Sequence, residues 1–318
     1  MKIVILDGAT LNPGDLSWDA LAREGELVVY DRTPPEQIVE RIGDAEIVFT
    51  NKTVLSREHI MACPNVHFIG LLATGYNTVD IQAAREKGID VCNIPTYGTA
   101  SVAQFAMALL LELCHRVGRH ADDVRAGHWS ECVDFCYWLS PQIELDGKTL
   151  GLIGFGRIGQ SFARIAEAMD MNIVVFDKTV NAALESATLK YVTLDELYAT
   201  ADVISLHCPL FADNQGMINA ATIAKMKPGV MLINTSRGPL INEQDLADAL
   251  AAGRIAGAAV DVLSSEPPKP DNPLLSAPNC IVTPHIAWAT KEARTRMMRT
   301  ALENLIAFKN GQPQNVVN

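Results

Sequence analysis

The chain has 318 residues, 48% of them hydrophobic and 20% charged, which is material for two ordinary domains and too apolar for disorder. Its formal net charge of −11 argues against nucleic acid or an anionic membrane as a partner, so an anionic ligand must be drawn by a local group of donors. Seven scattered cysteines, mostly inside apolar runs, read as reduced thiols of a cytoplasmic protein, and no pattern of Cys and His offers a metal site.

Short β-rich runs at 2–7, 27–30, 46–50, 66–70 and 89–93 alternate with polar-faced helical stretches such as 16–25 and 78–88. Such alternation predicts a parallel sheet covered by helices. The opening run is too short for a signal peptide. The longest apolar segment, 103–114, is interrupted by Gln104 and Glu112 and is too short to span a bilayer. It belongs to a helix predicted over 101–117, apolar on almost every face and therefore expected to be buried all round. That helix is either an internal spine or a contact with a second subunit, and the second is favoured. An aromatic-rich loop follows, with Trp129, Phe135, Tyr137 and Trp138. It reads equally as filler between domains or as an arm that reaches a neighbouring subunit.

A second α/β series begins near residue 149. Strands are predicted at 150–153, 172–176, 203–207, 230–234, 256–262 and 280–284, with helices at 157–169, 219–226 and 243–252. The first of these strands runs into Gly154-Phe155-Gly156-Arg157-Ile158-Gly159 and then a helix, the context that gives a GxGxxG motif its weight. Gly154 turns the chain, Gly156 lets backbone approach a pyrophosphate, and Gly159 lets helix and strand pack closely. The diphosphate is expected at the helix N-terminus, where free N–H groups point at it. Asp177 closes the next strand, about 20 residues on, where a carboxylate bonds a ribose 2′-hydroxyl and repels a 2′-phosphate. NAD is therefore expected over NADP, with Lys178 softening the preference slightly. Farther on, Leu206-His207-Cys208-Pro209 reads as a strand end lining the cofactor cleft without doing chemistry.

Three later strand ends carry reactive side chains. Arg237 lies in Asn234-Thr235-Ser236-Arg237-Gly238, and a guanidinium fork suits a carboxylate bidentately. Asp261-Val262-Leu263-Ser264-Ser265-Glu266-Pro267 supplies two carboxylates, and Thr283-Pro284-His285-Ile286-Ala287-Trp288 an imidazole. If Glu266 meets His285, the carboxylate holds one ring nitrogen and the other can donate to a ketone oxygen. The histidines at 59, 67, 115, 120 and 128 lack such companions and read as structural. A long amphipathic helix over 291–310 closes the chain and is expected to return to the first domain. The expected division is a substrate domain of 1–98 plus 289–318 and a dinucleotide domain of 99–288.

With these motifs the sequence resembles the D-isomer-specific 2-hydroxyacid dehydrogenase family over essentially its whole length, most closely the branch that reduces hydroxypyruvate. The resemblance implies two Rossmann-like α/β domains around a cleft, the dinucleotide domain inserted into a flavodoxin-like substrate domain, and a homodimer formed through the dinucleotide domains. It implies that Arg237, Glu266 and His285 are catalytic, with His285 as acid and base and Glu266 tuning it. Thr74, Gly154, Gly156, Arg157, Ile158, Gly159, Asp177, His207, Cys208, Thr235, Ser236, Arg237, Asp261 and His285 would contact NAD. Ala73, Thr74 and Gly75 would receive the substrate carboxylate on their backbone N–H groups, with Arg237, His285 and Trp288 completing the substrate site. Gln104 stands where many members carry an acid, and Leu263 where an aromatic is common; both bear on substrate preference.

The expected reaction is NADH-dependent reduction of a small 2-keto acid to its D-2-hydroxy acid, hydroxypyruvate first and glyoxylate second. D-lactate and 3-phosphoglycerate are the alternatives. A phosphorylated substrate needs more basic donors, and Lys52 and Arg57 are the visible ones near the first domain's strand ends. A corepressor-like NAD-sensing protein is the alternative from another class.

Overall fold

The β-branched runs of the first hundred residues become five parallel strands: β1 (Lys2–Ile5), β2 (Glu26–Val29), β3 (Ile47–Thr50), β4 (Phe68–Leu71) and β5 (Asp90–Cys92). Their order, β2-β1-β3-β4-β5, is the flavodoxin-like one, with the direction of winding reversing between β1 and β3. Val4, Val48 and Ile69 enter one core, and Ile3, Ile5 and Phe49 the other, so these strands are apolar on both faces. The second core is completed by the C-terminal helix, Lys291–Lys309, through Met297, Ala301 and Leu305. The tail after this helix closes the sheet's edge, with Val317 N–H donating to Val91 O and Val91 N–H to Asn318 Oδ1.

The computed structural model describes residues 1–318, which divide into two units: Met1–Gly98 with Trp288–Asn318, and Thr99–Ala287. The second unit holds seven parallel strands: β6 (Thr149–Ile153), β7 (Asn172–Phe176), β8 (Leu189–Tyr191), β9 (Val203–Leu206), β10 (Val230–Asn234), β11 (Ile255–Val260) and β12 (Cys280–Val282). Their order, β12-β11-β10-β9-β6-β7-β8, reverses between β6 and β9, the switch point where this architecture binds dinucleotides. Along β10 the alternation is clear. Met231 and Ile233 enter the core on one face, while Val230 and Leu232 enter the core on the other.

The helix expected over 101–117 spans Thr99–His115. Ala106, Met107, Leu110 and Cys114 share a core with Phe162 and Ala166 of the helix Arg157–Glu167. It is not buried all round: Gln104 and Ala108 are exposed, one helical turn apart on the same face. It ends earlier than expected because Arg116 turns left-handed at φ 50°, after which a polar helix, Val117–Arg125, begins. No single helix is long and apolar enough to cross a membrane.

Candidate active site

The dinucleotide half of the site grows from β6. At its end Gly154 takes φ +94°, and a Cβ there would lie 2.6 Å from the Cys208 nitrogen, so only glycine allows this turn. Gly156 precedes the helix Arg157–Glu167 as its cap without any side-chain capping bond, and Gly159 is buried in the first turn. The helix N-terminus thus offers backbone donors to an anion. Arg157 and Ile158 form its first residues, the former exposed and the latter part-buried. Asp177 follows β7 by one residue. Its Oδ2 accepts the Phe155 N–H at 2.7 Å and its Oδ1 the Thr179 N–H at 2.9 Å, which ties the carboxylate to the glycine turn.

After β9, His207 and Cys208 border the same turn. Packing around the His207 ring pushes it down to about 4, so it is neutral at physiological pH; Nε2 lies 2.9 Å from Ser205 Oγ. The Ser236 hydroxyl donates to Cys208 O at 2.5 Å, joining the ends of β9 and β10. Beside it the Thr235 hydroxyl is buried with no hydrogen-bond partner, as expected of a group that a ligand satisfies.

The loop after β10 is shaped by Asn234, which sequence reading missed. Its fully buried side chain accepts the Ser236 N–H at 3.0 Å and donates to Arg237 O at 2.8 Å. Arg237 leaves this clamp exposed, with Nη1 donating to Ser236 O at 2.7 Å. Next to it, a Cβ on Gly238 would fall 1.9 Å from the Leu263 carbonyl carbon. Glycine therefore lets the Arg237 loop and the loop that carries Glu266 lie against each other.

Glu266 and His285 do meet. The Glu266 carboxylate accepts the Leu263 N–H on Oε1 at 3.1 Å and lies 2.7 Å from His285 Nδ1 on Oε2. A carboxylate facing Nδ1 puts the hydrogen on that nitrogen and leaves Nε2 to a ligand. His285 adopts φ +54°, which a residue with a bulky side chain seldom does. The conformation is enforced by Asp261, a residue only 1% exposed. It accepts the Thr283 hydroxyl at 2.6 Å and the Ile286 and Ala287 N–H groups at 2.9 and 2.8 Å. Asp261 is thus committed to holding the His285 loop, a task its motif does not reveal.

The remaining expected residues lie in the first unit. After β4, Ile94 N–H donates to Ala73 O at 3.0 Å, Thr74 Oγ1 donates to Ile94 O at 2.7 Å, and Asn93 Nδ2 donates to Thr74 O at 2.7 Å. These bonds use the loop's carbonyls and hydroxyl, and the amides of Thr74 and Gly75 donate to no group of this unit. The neighbouring loop after β3 is gathered by buried Asp7, which accepts the Asn51, Lys52 and Thr53 amides at 2.8, 2.5 and 2.8 Å. Trp288 packs edge-on against Tyr97 at 6.3 Å between ring centroids.

The second unit therefore presents, at the ends of adjacent parallel strands, a dinucleotide-shaped turn, an exposed guanidinium and an imidazole oriented by a carboxylate. The glycine turn, the uncapped helix start, the tethered Asp177 and the unpartnered Thr235 hydroxyl all suit NAD. An imidazole with one nitrogen fixed and one free can exchange a proton with an oxygen.

Comparison with known proteins agrees with this geometry. A family model described as D-isomer specific 2-hydroxyacid dehydrogenase, NAD binding domain, matches residues 107–287. The chain is 58% identical to a hydroxypyruvate reductase of Blautia hydrogenotrophica, covering 100% of both chains. It is 40% identical to a glycerate dehydrogenase of Methylorubrum extorquens, over 99% of this chain and 98% of that one. The structure of D-lactate dehydrogenase with NAD+ from Lactobacillus jensenii superposes with a TM-score of 0.84 at 29% identity, covering 100% of each chain.

Proposed function

The chain belongs to the D-isomer specific 2-hydroxyacid dehydrogenases, and from that membership we propose that it reduces hydroxypyruvate to D-glycerate with NADH, and glyoxylate to glycolate more slowly. The observation that carries the reading is the His285 Nδ1–Glu266 contact of 2.7 Å, beside a loop that exposes Arg237.

When bound, NADH supplies a hydride to the keto carbon. The helix start at Gly156, Arg157 and Ile158 holds its diphosphate, and Asp177 bonds the adenosine ribose. His207, Cys208, Thr235 and Ser236 line the remainder of its path. The Arg237 guanidinium pairs with the substrate carboxylate and keto oxygen. The imidazolium form of His285 carries a hydrogen on each ring nitrogen; it gives the Nε2 proton to the keto oxygen and keeps the Nδ1 hydrogen on Glu266, which holds the ring in place. Negative charge grows on that oxygen as the carbon is reduced. Arg237 and the His285 N–H therefore stabilise the transition state more than the ground state.

An unphosphorylated substrate is supported by the first unit's cations. Arg57 is engaged by Glu86, which leaves Lys52 as the candidate donor where a phosphate needs several. A homodimer through the dinucleotide unit is supported by the segment after helix Val117–Arg125, where Trp129, Phe135 and Trp138 are 51%, 88% and 68% exposed. The seven free thiols suit the cytoplasm.

The test is NADH oxidation with hydroxypyruvate, glyoxylate, pyruvate and phosphohydroxypyruvate at equal concentration. Hydroxypyruvate is expected to give the highest kcat/KM, with glyoxylate second. A maximum on pyruvate or phosphohydroxypyruvate would displace the substrate assignment, and no turnover on any of them would displace the reaction.

A further inference from the structure

We propose that Asp213 is a second determinant of the choice of NADH over NADPH, acting by holding the Lys178 ammonium beside the ribose-binding turn. The inference rests on the reading that Asp177 bonds the adenosine ribose. Lys178 follows Asp177 directly, so a long flexible cation sits at the turn where a 2′-phosphate would arrive. Left unengaged, such a cation would attract that phosphate and work against Asp177.

Lys178 is engaged. Its Nζ lies 2.5 Å from Asp213 Oδ2 and 5.2 Å from the centroid of the Phe211 ring. Both partners come from one loop, and that loop is built in place. Asn214 Nδ2 donates to Pro209 O at 2.8 Å, and Asn214 Oδ1 accepts the Phe211 N–H at 2.7 Å. The Ser236 hydroxyl anchors its start at Cys208 O, and Cys208 abuts Gly154 of the fingerprint. The carboxylate that captures Lys178 is thus delivered by the same segment that borders the dinucleotide turn. Lys178 and Asp213 side chains are 62% and 64% exposed, and an ion pair so open to solvent adds little to folding stability. Its consequence lies in the local charge that an arriving phosphate meets.

Asp213→Asn removes the charge and keeps the shape. The ratio of kcat/KM for NADPH to that for NADH is expected to rise about two- to fivefold, the scale of an exposed charge pair. The rise should shrink at high ionic strength, where exposed charges are screened. It should also disappear in the double variant Asp213→Asn with Lys178→Met, because the freed ammonium is its source. An unchanged ratio in Asp213→Asn, or a rise that survives loss of Lys178, overturns the inference. Asp177→Ala measured alongside separates the two readings. A ratio that moves in Asp177→Ala and not in Asp213→Asn rejects the role of Asp213 alone. A ratio unmoved in Asp177→Ala rejects the ribose contact, and the Lys178-dependent rise still decides for or against Asp213.

Discussion

Arg237 stands clear of its loop because Asn234 takes both backbone contacts that would otherwise leave that loop free to collapse. If the guanidinium binds the keto acid, Arg237→Ala should raise KM for the keto acid and lower kcat together, by about 10²-fold or more in kcat/KM. NADH affinity should stay near normal, measured by fluorescence titration. A loss confined to NADH binding would move Arg237 out of the substrate site. The reactive residue types at 237, 266 and 285 were legible in the sequence because each sits in a short motif at a strand end. The groups that aim them were not. Asn234 and Asp261 act through hydrogen bonds to backbone amides and a hydroxyl, and such bonds leave no periodicity or composition to read. The positive φ at His285 was equally invisible, since histidine is enriched there but a single residue type does not mark it.

Among the elements, strands buried on both faces were the easiest to read, because burial makes them continuous apolar runs bounded by turn residues. Short helices such as Ile38–Ile42, Arg57–Ala62 and Leu194–Thr200 escaped, being too brief to show a 3.6-residue period. The aromatic segment after helix Val117–Arg125 could be recognised by composition, yet its fastening could not. Asp123 accepts the Tyr137 hydroxyl at 2.7 Å and contacts His128 Nδ1 at 2.8 Å, while the Leu139 N–H reaches His120 Nε2 at 2.9 Å. The Tyr137 and then the His128 bond lower the Asp123 pKa below 3.8, and the Asp123 bond raises that of His128 above 6.5. The signs differ. The Asp123 contribution is present above about pH 3.8 and fades as pH falls through its depressed value. The His128 contribution is complete below 6.5 and fades as pH rises through its elevated value. Amide exchange over residues 127–138, corrected for intrinsic rates, should therefore speed up between about pH 6 and about pH 9. Unchanged protection across that interval would remove His128 from the clasp.

For the molecule as a whole, two parallel sheets of different winding order divide the labour. The first has the flavodoxin-like order and, after β4, a loop with free amides. The second has its switch point between β6 and β9 and every titratable group the proposed reaction needs. The net charge of −11 leaves substrate capture to these local donors. The central claim is that His285, oriented by Glu266 and by the loop that Asp261 holds, moves the proton that completes keto-acid reduction. His285→Ala, assayed in single turnovers with NADH and hydroxypyruvate under saturating conditions, tests it most directly. Reduction should slow by about 10²–10⁴-fold while NADH still binds, the range expected when a general acid is removed. Reduction at close to the unmodified rate would contradict the account.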